Sequence, residues 1–157
     1  GDQETLKIFK AVRSGYAPLL DLDAKASWIH AEDLAQGTLA ALRDEGPVSQ
    51  ILPLDDGSGG YLTRDIYELI AELLGSKVHV FKVSASLLSF LGLLNEMWSK
   101  LGGRTPMLTR AKVREFNHSN WCVDKPSLAD KCNWKAQIPI RKGLISALNW
   151  YKENNLL

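Results

Sequence analysis

The sequence predicts a mixed α/β fold, rich in helix, with short strands between about seven helices. Apolar residues recur at helical spacing in segments that end in glycine, and short runs of bulky residues lie between those segments. The chain has 157 residues, of which 45% are hydrophobic and 24% charged. That length and composition suffice for one buried core, so residues 1–157 are expected to form a single unit.

The first quarter of the chain is expected to form two helices and one strand. Asp2 is placed to cap a first helix that ends near Ser14, and loop-like residues follow through Lys25. The bulky segment 27–30 predicts a short buried strand. Acidic residues then open a helix over residues 33–43.

A strand, a turn and a helix are expected next. Val48–Leu54 predicts a second strand, and the glycine-rich run 55–60 predicts a turn. Thr63 is the expected N-cap of an amphipathic helix that ends at Gly75. Alternating residues predict a further strand over Lys77–Val83. Four more helices are expected at about 86–101, 109–117, 127–134 and 140–154.

Composition excludes several classes of function. Lys and Arg number 19 against 18 Asp and Glu, so no general positive field favours a nucleic acid partner. The most apolar stretch, Leu87–Leu94, is far shorter than the ~20 residues of a membrane span. Cys122 and Cys132 have the spacing of neither a zinc knuckle nor a redox pair. A reducing cytoplasm is the expected location.

The residues that catalysis or metal binding would use are few. His30, His79 and His118 lack a second ligand at metal spacing, which favours structural roles. Ser58 lies directly between two glycines, unlike the G-x-S-x-G nucleophile motif, and the segment is better explained as a turn. The same loop is a weak phosphate cradle, because two aspartates precede it and no P-loop lysine follows. The five tryptophans suit either a core or a binding cleft.

Four segments taken in order resemble the extended short-chain dehydrogenases/reductases, which include the nucleotide-sugar epimerases and dehydratases. They are SWIHAEDLAQG at 27–37, TRAKVREFNHSNW at 109–121, LADKCNW at 128–134 and IRKGLISALNWYKENNLL within 138–157. The resemblance covers nearly the whole chain. It implies the C-terminal, substrate-binding half of such an enzyme, with no complete Rossmann domain.

The resemblance also implies where the chemistry lies. The family binds NAD or NADP through a GxxGxxG turn and reacts through a YxxxK pair, both in an N-terminal Rossmann domain. None of the four tyrosines here has a Lys four residues later, and no glycine triplet has the dinucleotide spacing. This chain is therefore expected to carry no catalytic, cofactor-binding or metal-binding residue and to be inactive alone.

The substrate-binding residues that the resemblance suggests are Trp28, Arg104, Arg114 and Trp121. The arginines would pair with phosphate and the tryptophans would stack on a base or sugar. The implied substrate is a nucleotide sugar. Lys25 stands near where the family has a diphosphate-binding Arg, and the family's Tyr-Asn pair is absent, so a steroid- or flavonoid-type reductase is a competing assignment.

Two further expectations concern partners. Without its cofactor domain, the apolar face from Ile29, Leu34, Leu39 and Leu42 would lack cover, which predicts a homo-oligomer. The alternative from another class is a stand-alone, non-catalytic domain that binds a small molecule or a protein. The coding sequence upstream of Gly1 distinguishes these assignments.

Overall fold

A computed structural model describes residues 3–43, 51–90, 118–123 and 127–157. The amphipathic helix α1 spans Gln3–Arg13 and buries Leu6, Phe9 and Val12. Gly15 then adopts a positive φ of 84°, which turns the chain into strand β1, Tyr16–Leu19. The predicted first helix is confirmed. The loop predicted through Lys25 is wrong where β1 forms.

Strand β1 belongs to a two-stranded parallel sheet. Its partner β4 spans His79–Lys82, and Tyr16 stands opposite His79. Hydrogen bonds from the His79 amide to the Gly15 carbonyl and from the Val83 amide to the Leu19 carbonyl extend the pairing at both ends. The predicted strand at 77–83 is thus confirmed in a shorter form.

A second sheet joins three very short strands. Strand β2 spans Lys25–Ala26, β3 spans Tyr61–Leu62 and β5 spans Asn120–Trp121. The β2–β3 pair is antiparallel and the β2–β5 pair is parallel. None of these three strands is visible as a hydrophobic pattern, because main-chain hydrogen bonds between distant segments create them.

Four further helices surround the sheets. They are α2 at Ala31–Arg43, α3 at Thr63–Leu74, α4 at Leu128–Lys131 and α5 at Ile140–Glu153, and residues 85–90 are also helical. Helix α3 ends as expected at Gly75, in the left-handed conformation. Its N-cap is Leu62, one residue before the predicted Thr63. Helix α4 is shorter than predicted, since Cys132 already closes it.

Two predicted strands are not found. Residues 27–30 run on from β2 without strand pairing, and residues 51–54 are not in a strand. The bulky residues at 27–30 line a cleft instead of entering a sheet. The remainder of the second predicted strand, the helix predicted at 109–117 and the end of the helix predicted at 86–101 lie outside the described residues.

The core lies where α1, α3 and α5 meet. Phe9 and Ile70 are fully buried there, and the Phe9 ring meets the Tyr151 ring edge to face at 5.4 Å between centroids. This packing fixes the position of α5, which also borders the cleft.

The predicted fold class is confirmed as mixed α/β and helix-rich. The described residues hold six helical segments and two small sheets. Among these residues, no helix is both long enough and apolar enough to cross a bilayer.

Candidate functional site

A cleft of about 550 Å³ lies between the segment 28–31, the first turn of α2 and one side of α5. This volume is within the range of small-molecule sites, which is roughly 300–1,000 Å³. Its lining is mainly apolar and aromatic. The lining includes Trp28, His30, Asp56, Ile138, Gly143 and Trp150.

Helix α5 contributes to both the core and the cleft, and Leu144 and Tyr151 belong to both. Leu144, Leu148 and Tyr151 are buried against the core. A second row, spaced by three or four residues and so lying along one side of the helix, borders the cleft. It consists of Ile140, Gly143, Ala147 and Trp150. The helix therefore holds one wall of the cleft rigidly against the core.

The opposite wall is the extended segment that follows β2. The Trp28 carbonyl accepts a hydrogen bond from the Asp56 amide at 2.9 Å, and the His30 carbonyl accepts one from the Leu34 amide at 2.9 Å. These bonds fix the main chain at Trp28, whose side chain is half-buried, and at His30. Trp28 also packs against the core cluster.

Asp33 joins the floor of the cleft to α2. The residue is 3% exposed, and its two carboxylate oxygens accept hydrogen bonds from the amides of Gln137 at 3.0 Å and Ile138 at 2.8 Å. Charge-assisted bonds of this kind are the stronger class. They hold the loop before α5 so that Ile138 lines the cleft.

The loop at 55–60 is a turn built from its own side chains. Asp55 accepts from the Gly57 amide at 3.0 Å, Asp56 from the Ser58 amide at 3.0 Å and the Ser58 hydroxyl from the Gly60 amide at 3.2 Å. The amides that a phosphate would need are already engaged. The interpretation of this loop as a turn, rather than a phosphate cradle, is supported.

The buried Asp55 connects this loop to the three-stranded sheet. The Ser27 hydroxyl donates to its carboxylate at 2.9 Å and accepts from the Val123 amide at 3.0 Å. Beside it, the Tyr61 hydroxyl donates to Asp56 at 2.6 Å. Partial burial, and then this hydrogen bond, raises the pKa of the Tyr61 phenol above its ordinary value. The phenol therefore stays protonated and keeps donating at neutral pH.

The predicted site residues do not all meet at the cleft. Trp28 lines it, whereas Trp121 does not appear in its lining and is 54% exposed on β5, where its ring meets His118 edge to face. Arg104 and Arg114 lie outside the described residues. No group of three or more metal-binding side chains occurs in the part of the chain that the structure describes.

Sequence reasoning missed three residues of the cleft: His30, Asp56 and Trp150. The sequence favours a structural role for His30 and a turn at Asp56, and it leaves Trp150, like the other tryptophans, between a core and a cleft without making it a site residue. The row at 140, 143, 147 and 150 was the available signal, since its helical spacing defines a face distinct from the one that carries Leu144 and Leu148.

No family model and no curated protein matches this sequence. Solved structures do match. The crystal structure of gox2253 superposes with a TM-score of 0.68 and 16% identity over 99% of this chain and 45% of its own. The epimerase Mth375 from Methanothermobacter thermautotrophicus superposes with a TM-score of 0.64 and 15% identity, over 94% of this chain and 36% of its own. MoeE5, solved with UDP-glucuronic acid and NAD, superposes with a TM-score of 0.63 and 14% identity, over 98% of this chain and 42% of its own.

The chain has the fold of the C-terminal part of an extended short-chain dehydrogenase/reductase. The resemblance found in the sequence is thereby confirmed at the level of fold. The chain spans less than half the length of each of these structures. Among the described residues, the cleft beside Trp28 is a concave surface at which polar groups of His30 and Asp56 meet.

Proposed function

We propose that this chain is the substrate-binding part of an NAD(P)-dependent epimerase, dehydratase or reductase. The observation that carries the proposal is the superposition on gox2253, which covers 99% of this chain but 45% of that one. A fold match of that kind is expected when a second domain supplies the cofactor and the reacting groups. Residues 1–157 then act as one unit that binds substrate.

The glycine-rich loop at 55–60 does not favour a dinucleotide phosphate. In the glycine-rich loop at 55–60, the amides of Gly57, Ser58 and Gly60 are already bonded to side chains of the loop. NAD or NADP would bind to the N-terminal Rossmann domain and would there carry the hydride. The task of this chain is to orient the substrate, since binding of remote groups lowers the barrier at the reacting carbon.

The proposed substrate is a nucleotide sugar. One support is that MoeE5, which shares the fold, was solved with UDP-glucuronic acid. In this assignment Trp28 stacks on an uncharged ring of the substrate, and Arg104 and Arg114 are the proposed partners of its phosphates. Trp121 stays a proposed contact at the exposed end of β5.

A nucleotide-sugar titration tests this function. Ligand at 100 times its Kd stabilises the folded state by about 2.7 kcal/mol, which raises the Tm of a chain this size by roughly 5–11 °C. The fluorescence change on binding should survive in Trp134→Phe, whose ring is not in the cleft lining, and fall in Trp28→Phe. An unchanged Tm with millimolar UDP-glucose, UDP-glucuronic acid and dTDP-glucose would refute the nucleotide-sugar assignment.

The coding sequence gives an independent test of the domain arrangement. About 170 residues upstream of Gly1, the size of one domain, should contain a GxxGxxG turn and a YxxxK pair. A start codon directly before Gly1 would contradict the proposal. It would favour the second candidate, a stand-alone domain that binds a small molecule in the same cleft.

We also propose that the isolated chain self-associates. Leu34, Leu39 and Leu42 on α2 are 46%, 44% and 78% exposed, as expected for a face that lacks its partner. Ile29, the fourth residue of the predicted face, is half-buried, and both Ile29 and Leu34 also line the cleft. Covering the exposed leucines with a second copy removes apolar surface from water.

A further inference from the structure

The cleft has walls suited to a flat ring. Two indole side chains, Trp28 and Trp150, belong to its lining. Indole rings supply broad apolar faces that stack on planar or ring-shaped ligands. Ile29, Leu34, Ile138 and Ile140 complete an aliphatic surround. A ring that leaves water for this cleft therefore gains apolar contact on several sides.

The charges at the cleft disfavour an anion. Among the described lining residues there is one carboxylate, Asp56, and neither Lys nor Arg. Both oxygens of Asp56 are engaged, one by the Ser58 amide and one by the Tyr61 hydroxyl. The first turn of α2 already holds two acidic residues, Glu32 and Asp33. A phosphate placed here would face a carboxylate without a cationic side chain to offset it.

His30 supplies a directed donor. Its Nδ1 accepts a hydrogen bond from the Glu32 amide at 3.3 Å, which assigns the proton of the neutral ring to Nε2. The ring lies against Gly143, where an added Cβ would stand 3.3 Å from His30 Cδ2. Nε2 has no hydrogen-bond partner among the described residues. Glycine at position 143 thus leaves room for the imidazole against α5.

We propose that the cleft binds an uncharged ring and that the Nε2–H of His30 donates a hydrogen bond to an oxygen on that ring. The inference rests on the proposed function in one respect, that this cleft is where the chain holds its substrate. It deepens that function by assigning the uncharged ring of the substrate to the cleft and its phosphates to another place.

Three small probes separate the parts of this inference. 1-Tetralone carries a ketone oxygen on a fused ring, tetralin is the same ring system without that oxygen, and pyrophosphate is the anion alone. Binding is followed by tryptophan fluorescence and by the ¹⁵N resonances of the His30 ring. One neutral hydrogen bond contributes about a five-fold difference in affinity, so tetralone should bind about five times tighter than tetralin.

Three variants complete the experiment. His30→Phe keeps a ring but removes the donor, and it should bind the two probes equally. Gly143→Ala crowds the imidazole while favouring the helix, so tetralone affinity should fall without loss of folding. His79→Phe is the matched control, because His79 is exposed on β4 and does not line the cleft; it should retain the five-fold preference.

The outcomes distinguish this inference from the proposed function. Equal binding of tetralone and tetralin to the unmodified chain, or an unchanged preference in His30→Phe, overturns the role of His30. A larger shift of the His30 resonances with pyrophosphate than with tetralone overturns the assignment of an uncharged ring. If neither ring binds while a nucleotide sugar still raises the Tm, the inference fails and the proposed function stands.

Discussion

The buried carboxylate of Asp33 gives a sharp test of how the cleft is built. In Asp33→Asn, one oxygen that accepts a main-chain N–H is replaced by an NH₂ group that cannot accept. One of the amides of Gln137 and Ile138, now bonded at 3.0 and 2.8 Å, is then left facing a donor. The change also removes the charge from the bond that remains.

The magnitude follows from the two bonds. A hydrogen bond to a charged group contributes about 1.5–3 kcal/mol, and an unsatisfied buried donor costs about 1–3 kcal/mol. We expect the free energy of unfolding to fall by about 2–4 kcal/mol, which lowers the Tm by roughly 4–16 °C. Urea denaturation followed by circular dichroism measures the first quantity, and calorimetry measures the second.

Glu32→Gln is the matched control for this substitution. It removes the same charge from the adjacent position in the first turn of α2, but Glu32 is exposed. Its free energy of unfolding should change by less than about 1 kcal/mol, the size of an exposed interaction with the helix dipole. If Asp33→Asn is no less stable than Glu32→Gln, the carboxylate does not hold the loop before α5, and this account of the cleft floor is wrong.

Three further outcomes are expected. Gly57→Ala should lower the free energy of unfolding by about 1–2 kcal/mol in urea denaturation, because its φ is 79° although the space around it is open. Gly60→Ala should cost about 1–3 kcal/mol more, because its Cβ would overlap the Cys122 sulfur, and equal costs would refute the contact. Arg141 donates to Glu72 at 2.6 Å and lowers the pKa of that carboxyl. The pair therefore stabilises the fold above the unfolded-state pKa of Glu72, and this effect is lost as the pH falls through the folded-state pKa. NMR titration should show a higher Glu72 pKa in Arg141→Ala, and an unchanged pKa would contradict this cause. Light scattering at micromolar concentration should find an oligomer that Leu42→Lys dissociates, and a monomer before substitution would exclude self-association through α2.

The helices were predictable because their signal is local. In α3, Ile66 and Ile70 recur at helical spacing and are both buried, and Gly75 ends the helix as expected. The two-residue strands carry no such signal. Lys25 and Ala26 are in a strand only because chain from near residues 61 and 120 comes alongside, and no window around them contains that information.

The cleft was predictable only in part. Trp28 was singled out by its place in a family-like segment, and it does line the cleft. The sequence favours a structural role for His30, since its contact with Gly143, more than 100 residues later, is not visible locally. The bulky run at 27–30 was interpreted as a strand because wall residues of a cleft and buried strand residues share the same apolar character.

The pairing of the strands also determines when each sheet can form during synthesis. Both sheets begin with strands from the first 26 residues of the chain, β1 and β2, and each lies parallel to a partner made much later. During synthesis, β5 is made about 95 residues after β2. At about 5–20 residues per second, that interval lasts roughly 5–20 s. Until β5 is made, the edge of β2 that pairs with it has no strand partner. The nascent chain therefore needs another group to cover that edge during elongation.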